Sequence, residues 1–125
     1  LGDLDNDGAL DLVVSHVQNP GAVLKGLPPT GRQWIGFNLQ RNGHACGVGA
    51  QVRLTAQGKP MSRQVKGGGS YASSPDRRIH FGLDTATKMD TLEISWPDGF
   101  RETFDPARFV PGKYHEIIQG TGNKK

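Results

Sequence analysis

Apolar and polar residues alternate with a period of two in several short segments of the chain. In the segment Val48–Ala56 every second residue is apolar and the residues between are glycine or polar, which is typical of a half-buried strand. Trp34 and Trp96 lie in such runs and are expected to anchor the core. Further short runs predict strands at Leu12–Val14, Ala22–Leu24, Gln33–Arg41, Met61–Lys66, Ile79–Leu83, Thr91–Trp96, Phe100–Phe104 and Lys113–Gln119.

Turns are frequent in the sequence, whereas helical patterns are almost absent. No long run has the i, i+3, i+4, i+7 apolar spacing of a helix, and only segments 85–88 and 106–109 have room for one helical turn. The chain has 18 Gly and 8 Pro, together 26 of its 125 residues, and Gln57–Pro60 reads as a four-residue hairpin turn. The sequence therefore predicts one small all-β domain, either an antiparallel β-sandwich or a barrel-like fold.

Charge is distributed unevenly along the chain. Residues 1–20 hold four Asp and no Lys or Arg, so the remaining 15 basic and 8 acidic residues give residues 21–125 a net charge of +7. The basic residues form no stripe interleaved with aromatics, which argues against a nucleic-acid partner. No apolar run approaches the roughly 18 residues that span a bilayer, so we expect no membrane span.

Four aspartates near the start of the chain have a spacing that is typical of calcium loops. Asp3, Asp5, Asp7 and Asp11 fall at positions 1, 3, 5 and 9 of a loop, with Gly8 at position 6. Carboxylates this close repel one another unless a hard cation neutralises them. Calcium takes roughly six to eight oxygen ligands, more than magnesium draws from a protein. The spacing therefore predicts a calcium site.

The backbone carbonyl of Ala9 and water are expected to complete the calcium ligands. Position 12, where an EF-hand supplies a glutamate, is Val14, so the loop should lead into a strand instead of a helix. The alternative is an acidic surface turn that holds no metal.

Catalytic residues are not indicated. His44 and Cys46, with His80 elsewhere, could form a nucleophile and a base or act as metal ligands, but no third group is present to orient them. A lone cysteine is usually a small buried hydrophobe, and it excludes an internal disulfide. We therefore expect no enzyme activity from these residues.

A polar and aromatic loop between two strands is the best candidate for a binding surface. Ser70, Tyr71, Arg77 and Arg78 combine a rigid aromatic ring, a hydroxyl and guanidinium groups, which is the chemistry of saccharide or protein contact. The alternative is an ordered loop that packs on its own domain.

The segment Asp3–Leu12 resembles the calcium loop of FG-GAP (or VCBS) repeats, the blades of integrin-α-like β-propellers. In that family the loop lies between two strands of a blade and the calcium is structural. One blade cannot close a propeller. The resemblance therefore implies that residues 1–30 are the C-terminal fragment of a blade, and that the chain, which starts inside a motif, is a fragment of a longer protein.

The residues that follow resemble the ASPIC/UnbV domain, which is found after such repeats in many secreted bacterial proteins. The resemblance rests on five spaced motifs, Trp34-Ile35, Gly47–Val52, Gly67–Ser74, His80–Leu83 and Leu92–Gly99. Family members often carry Asn-Arg where this chain has His44-Ala45, and Gly where it has Asp84. If the Asn-Arg pair belongs to a ligand site, that site is altered here, whereas little changes if the pair only shapes a turn.

These resemblances imply a β-domain at residues 31–120, after the blade fragment and before a flexible tail at residues 121–125. The implied function is that of a non-catalytic, secreted or cell-surface module for binding or adhesion, attached to a calcium-stabilised propeller. Its implied partners are that propeller and an extracellular protein or glycan, and its compartment is extracellular or periplasmic. Two alternatives stay open: an accessory domain that positions substrate for a secreted or biosynthetic enzyme, and a structural cap of the propeller.

Overall fold

Strands form nearly all of the regular structure, so the expected all-β fold is confirmed. The computed structural model describes residues 1–41, 45–69 and 71–125, and within them no helix is long and apolar enough to cross a membrane. The strands are β1 (Leu12–Val14), β2 (Ala22–Leu24), β3 (Gln33–Arg41), β4 (Ala45–Cys46), β5 (Gln51–Ala56), β6 (Lys59–Gln64), β7 (Ile79–Asp84), β8 (Thr91–Ser95), β9 (Arg101–Phe104), β10 (Tyr114–Ile118) and β11 (Asn123–Lys124). Strands β1 and β2 form a separate two-stranded antiparallel sheet.

Five antiparallel strands form the larger sheet, in the order β11-β9-β8-β5-β6. Buried and less buried residues alternate along β5, β8 and β9, so one face of this sheet packs on the core and the other faces water. The outward face carries Arg53 and Thr55 on β5, Thr91 and Glu93 on β8, and Thr103 on β9.

β3 is the central strand of the smaller sheet. It pairs with β10 along one edge and with β7 and β4 along the other. The pairing of β3 with β10 is parallel, although we expected antiparallel neighbours. The direction of β10 is not set by a hairpin, because the chain crosses from β9 in the larger sheet to β10 in the smaller one.

The two sheets share one hydrophobic core. At its centre Phe37 of β3 meets Phe81 of β7 edge to face, with ring centroids 6.3 Å apart, a favoured geometry for aromatic pairs. The remaining buried core residues are Ile35, Leu39, Ala50, Val52, Leu54, Ala56, Val65, Ile79, Leu83, Ala86, Met89, Leu92, Ile94, Trp96, Phe104 and Ile117. Trp96 is thus a core residue, as expected.

A buried carboxylate satisfies the polar edge of Trp96. The indole Nε1 donates a hydrogen bond to Oε1 of Glu102 at 2.6 Å, and Glu102 is fully buried. The same carboxylate accepts hydrogen bonds from the backbone N–H of Gly120, at 3.0 Å, and of Gly122, at 2.7 Å. Burying a charge is costly unless hydrogen bonds satisfy it, so Glu102 holds the segment after β10 in place.

Part of residues 121–125, where we expected a flexible tail, forms a paired strand. β11 pairs with β9, with Asn123 opposite Thr103 and Lys124 opposite Glu102. The Gly122 N–H bonded to the Glu102 carboxylate directs the chain to this edge. The polar composition of the tail hides the pairing, because an edge strand needs no apolar side chains to form backbone hydrogen bonds.

Three local boundaries differ from those expected. Gln57 and Gly58 have φ values of 50° and 70° and form a two-residue turn, because two left-handed residues match the twist of a tight hairpin. Gly47–Ala50 is a turn, closed by an N–O hydrogen bond of 2.9 Å, so β5 starts later than Val48. Of the two segments with room for one helical turn, 106–109 contains a 3-10 turn, Pro106–Arg108, whereas 85–88 is not helical.

We predict that Glu102→Gln lowers the free energy of unfolding by about 1–3 kcal/mol, because an amide replaces one acceptor oxygen with a donor facing buried N–H groups. Urea unfolding measures the change. Glu116→Gln, on the exposed side of β10, is the matched control and should change stability by less than about 0.5 kcal/mol. Equal effects of the two substitutions would contradict the role of Glu102.

Candidate metal-binding loop

The acidic loop, residues Asp3–Asp11, folds back on itself. Backbone hydrogen bonds join Gly2 to Asp11 with N–O distances of 3.2 and 2.7 Å. One carboxylate oxygen from each of Asp3, Asp5 and Asp11 then lies within 4.8 Å of the others. Asp3 and Asp11 are buried and Asp5 is exposed. Three of the four aspartates singled out by their spacing therefore lie together.

The carboxylate of Asp3 organises the loop around it. Oδ1 accepts a hydrogen bond from the backbone N–H of Asp7 at 3.1 Å, and Oδ2 accepts one from Gly8 N–H at 3.0 Å. Oδ2 also accepts a hydrogen bond from the hydroxyl of Tyr114, at 3.1 Å, which lies 111 residues away in sequence. Asp3 therefore links the loop to the β-domain.

Asp11 links the loop to the strand pair that follows it. Its Oδ2 accepts a hydrogen bond from Leu4 N–H at 2.8 Å, and its Oδ1 accepts one from Gly26 N–H, just after β2, at 2.9 Å. Both oxygens of this carboxylate are thus held in fixed positions by backbone hydrogen bonds.

Asp7 lies apart from the three clustered carboxylates. Its Oδ1 accepts a hydrogen bond from the backbone N–H of Ala9 at 2.8 Å, which closes a tight turn inside the loop. The metal-ligand roles of the Asp7 carboxylate and the Ala9 carbonyl stay predictions.

A lysine supplies positive charge to the loop. The ammonium of Lys25 forms an ion pair with Asp5 and lies 3.6 Å from Oδ2 of Asp7. Hydrogen bonding between Lys25 and Asp5 lowers the pKa of the Asp5 carboxyl and raises the pKa of the Lys25 ammonium. A metal ion bound to Asp5 would compete with this ammonium.

The donor set fits a hard cation. The three clustered side chains offer only carboxylate oxygens, which suit calcium, and no cysteine or histidine belongs to the cluster. Each carboxylate oxygen has two lone pairs, so Oδ1 of Asp3 and both oxygens of Asp11, which accept one hydrogen bond each, keep an acceptor position that a metal ion could use.

Gly8 lets the loop lie directly against the β-domain. Its φ of +89° is a left-handed conformation, and a Cβ at this position would lie 2.1 Å from Nε1 of Trp34. Only glycine fits both constraints. Trp34 is half-buried and packs under the loop, so the expected core role of this tryptophan is replaced by a contact between segments.

Arg78 makes the densest set of polar contacts between the loop and the β-domain. Its Nη2 donates a hydrogen bond to the backbone carbonyl of Asp3 at 2.6 Å, and its Nη1 donates one to Oδ1 of Asn6 at 2.6 Å. Nε and Nη2 also donate to the Asp76 carboxylate, at 2.9 and 2.7 Å. We call Arg78, Asp76 and Tyr114 the docking cluster.

The guanidinium and the phenol of the docking cluster support each other. The guanidinium carbon of Arg78 lies 4.0 Å from the ring centroid of Tyr114, a cation–π contact. Burial, followed by the charge of Asp3, raises the pKa of the Tyr114 hydroxyl, so it stays a donor to that carboxylate. A Cβ on Gly36 of β3 would lie 2.1 Å from the Tyr114 ring, so only a glycine leaves room for it.

His80 extends the same contact region on β7. Its ring stacks on Trp34, with centroids 5.3 Å apart and planes 20° from parallel. Burial lowers its pKa, although the nearby backbone of Gly8 opposes the shift. A neutral imidazole here acts as a packing partner of the indole.

The residues expected to form a binding surface have different surroundings. Tyr71 is 99% exposed, and the exposed Arg77 donates to Sγ of Cys46 at 3.4 Å. Arg78 does not face an outside ligand, because the contacts above use most of its N–H donors. Ser70 and His44 lie outside the described residues.

Two residues of this region were not singled out from the sequence: Lys25 and Tyr114. Tyr114 reads only as an apolar strand residue, and its contact with Asp3 spans almost the whole chain. Asp76 belongs to the polar loop that the sequence singles out as a candidate binding surface, but in the structure it pairs with Arg78 of the same loop.

We predict that Arg78→Lys lowers the free energy of unfolding by about 1–3 kcal/mol, because an ammonium cannot bond Asp76, Asp3 and Asn6 together. Chemical denaturation measures the loss. Arg77→Lys, the adjacent exposed arginine, is the control and should stay within about 0.5 kcal/mol of the original chain. Equal stability of the two variants would show that the docking cluster does not hold the loop.

Comparison with known proteins identifies the family of the β-domain. The family model described as ASPIC and UnbV matches residues 40–124. Cartilage acidic protein 1 of Xenopus tropicalis is 34% identical over 101 residues, which cover 78% of this chain and 16% of that protein. The proteins of the same name from Mus musculus and Homo sapiens are each 32% identical over 101 residues. The chain thus spans about one sixth of the length of these relatives, and more than half of it matches the family model. It belongs to the ASPIC and UnbV family.

Proposed function

We propose that this chain is a non-catalytic binding or adhesion module joined to the end of a calcium-stabilised β-propeller outside the cell. The β1–β2 sheet is the observation that carries the propeller attachment. Two strands alone are at best marginally stable in water, and a sheet this small is expected to continue into further strands.

The side chains of the β1–β2 sheet support this attachment. Val13 and Val23 lie opposite each other and are 57% and 64% exposed, and Leu12 and Leu24 form the next pair at 37% and 57%. Successive residues of a strand point to opposite faces, so apolar groups are uncovered on both faces. A blade of an FG-GAP propeller would cover them with its remaining strands.

Calcium is the proposed cofactor of the acidic loop. The proposed ligands are Asp3, Asp5, Asp7, the carbonyl of Ala9 and Asp11. Support comes from the three clustered carboxylates and from their fixed orientation. Bound calcium would stiffen the loop between the blade and the β-domain, and loops of the extracellular class bind it at roughly 10⁻⁴ to 10⁻³ M.

The family of the chain supports an extracellular location, and its exposed side chains support a role in recognition. The relatives are named for cartilage, which supports an extracellular or cell-surface location. Exposed polar and aromatic groups, including Tyr71 and Arg77, are available to an extracellular protein or glycan. The proposal assigns no catalytic step to this chain.

A structural cap is the second candidate, and the docking cluster favours it. Arg78 and Tyr114 bond to the same residue, Asp3, and so fix the loop against the β-domain. If deletion of residues 34–125 from a longer natural protein lowers its melting temperature but leaves its ligand binding intact, the chain is a cap and the recognition role is wrong.

We predict that Lys25→Gln tightens calcium binding roughly thirtyfold at low salt, because repulsion between a unit charge and a doubly charged ion about 4 Å away is worth about 2 kcal/mol in water. Asp5→Asn should weaken binding. Isothermal titration calorimetry measures both changes. Lys88→Gln, an exposed lysine remote from the loop, is the control and should leave the affinity unchanged. An original chain that binds no calcium at millimolar concentration would refute the proposed site.

We predict that Val13→Ser has two different effects. In this chain, where Val13 is mostly exposed, the free energy of unfolding should change by less than about 0.5 kcal/mol. In a longer polypeptide that includes the upstream repeats, we expect a loss of about 1–3 kcal/mol, because the valine is then buried.

Val17→Ser is the matched control for this prediction. Val17 is fully exposed in the connection between β1 and β2, so the substitution should be neutral in both polypeptides. Thermal or chemical unfolding measures the difference. If Val13→Ser is neutral in the longer polypeptide as well, the β1–β2 sheet is not part of a blade.

A further inference from the structure

A trough of about 560 Å³ lies on the outward face of the larger sheet. It crosses β9, β8, β5 and β6, and it is larger than the cleft of about 430 Å³ beside Trp34. Volumes of roughly 300 to 1,000 Å³ are typical of sites for small ligands. The docking cluster and the acidic loop do not contribute to this trough.

Hydroxyl groups from four strands line the floor of the trough. Thr55 and Thr91 are direct cross-strand partners, and Thr103 lies opposite Glu93 on the next strand. Ser62 on β6 adds a fourth hydroxyl, which accepts a hydrogen bond from Gln51. The hydroxyls of Thr55 and Thr91 have no hydrogen-bond partner among the described residues.

One end of the trough has an excess of positive charge. Glu93 forms an ion pair with Lys125, and the guanidinium groups of Arg53 and Arg101 also lie close enough to act on its charge. Within residues 1–41, 45–69 and 71–125, neither guanidinium has a hydrogen bond or an ion pair of its own. Three cationic groups therefore lie near the single carboxylate of Glu93. The guanidinium of Arg53 remains available to bind an anionic group through two parallel N–H donors.

The opposite end of the trough is acidic. Asp90 lies there, and its Oδ2 accepts a hydrogen bond from the backbone N–H of Gly58 at 3.0 Å, which leaves Oδ1 available as an acceptor. Apolar groups also line the trough and give it apolar contact surface: Pro60, Pro106, Met61, Leu54, Leu92, Phe104 and the threonine methyl groups. A densely charged polyanion would be repelled by Asp90, whereas a ligand with hydroxyl donors at that end would be bound.

We propose that the outward trough binds an acidic oligosaccharide, with its carboxylate at Arg53 and its hydroxyl groups along Thr55 and Thr91 towards Asp90. The proposal rests on the binding role proposed above and names both a ligand class and a site for it. The proposed ligand site is thus the concave trough and not the exposed loop around Tyr71. The trough combines an anion-binding group, hydroxyls and a carboxylate acceptor.

The test uses three defined probes and the whole chain. The first is a trisaccharide with a terminal glucuronic acid, the second is the same trisaccharide with glucose in that place, and the third is a densely sulfated oligosaccharide of equal length. Calorimetry measures affinity, and NMR shifts of the threonine methyl groups locate the site. We expect the uronate probe to bind at a Kd of about 1 mM or tighter, to shift Thr55 and Thr91, and to bind more weakly as salt is added.

Substitutions of exposed residues distinguish specific binding of the uronate probe from nonspecific electrostatic attraction. Arg53→Gln should weaken uronate binding about tenfold or more, because a charge-assisted hydrogen bond is lost. Thr91→Val keeps the β-branched shape and removes only the hydroxyl, so it should weaken binding without changing the melting temperature. Lys66→Gln removes the same charge at an exposed position that does not line the trough, and it should have no effect.

Each other outcome has a definite meaning. If uronate binding is lost in Tyr71→Ala or Arg77→Ala but kept in Arg53→Gln, the recognition role stands and the trough is wrong. If the neutral or the sulfated probe binds as well as the uronate, or if the threonine methyl groups do not shift, the trough proposal is overturned. If no probe binds to the original chain at about 1 mM, the acidic oligosaccharide is wrong as ligand, while a protein partner remains compatible with the recognition role.

Discussion

The fully buried carboxylate of Asp3 is the group on which the arrangement of this chain depends. A charge removed from water is tolerated only when hydrogen bonds replace its hydration. The donors to Asp3 come from both the acidic loop and the β-domain. Two are backbone N–H groups of its own loop, and the third is the hydroxyl of Tyr114 on β10. The Asp3 carboxylate that shapes the candidate metal site therefore also ties the loop to the β-domain.

A second buried carboxylate plays the equivalent part at the other end of the chain. Glu102 accepts hydrogen bonds from Trp96, Gly120 and Gly122, and so joins the core to the final segment. Both acids occur beside glycine-rich turns, where backbone N–H groups are free to converge on one acceptor. Apolar contacts fill the space between the sheets, whereas these two charges decide where the first and last segments of the chain attach.

Much of the β-domain could be predicted from the sequence, because the period of a half-buried strand is local. The alternation around Val52 and Leu54 specifies both the strand and its buried face. The parallel pairing of β10, the contact of Tyr114 with Asp3 and the pairing of β11 could not be predicted, because each depends on a partner far away in sequence. The acidic loop was found from its spacing, but the same spacing did not show that Asp7 lies apart from the other carboxylates.

The proline on β6 has a consequence for the behaviour of the module at high concentration. Lys59 pairs with Ala56 next to the two-residue turn, so the backbone nitrogen of the following residue, Pro60, points away from β5 towards the open edge of the sheet. Proline has no N–H, and the strand also carries the charged side chains of Lys59 and Arg63. This edge therefore offers an incomplete template to a strand of a neighbouring molecule, which disfavours sheet-to-sheet polymerisation where many copies are crowded together.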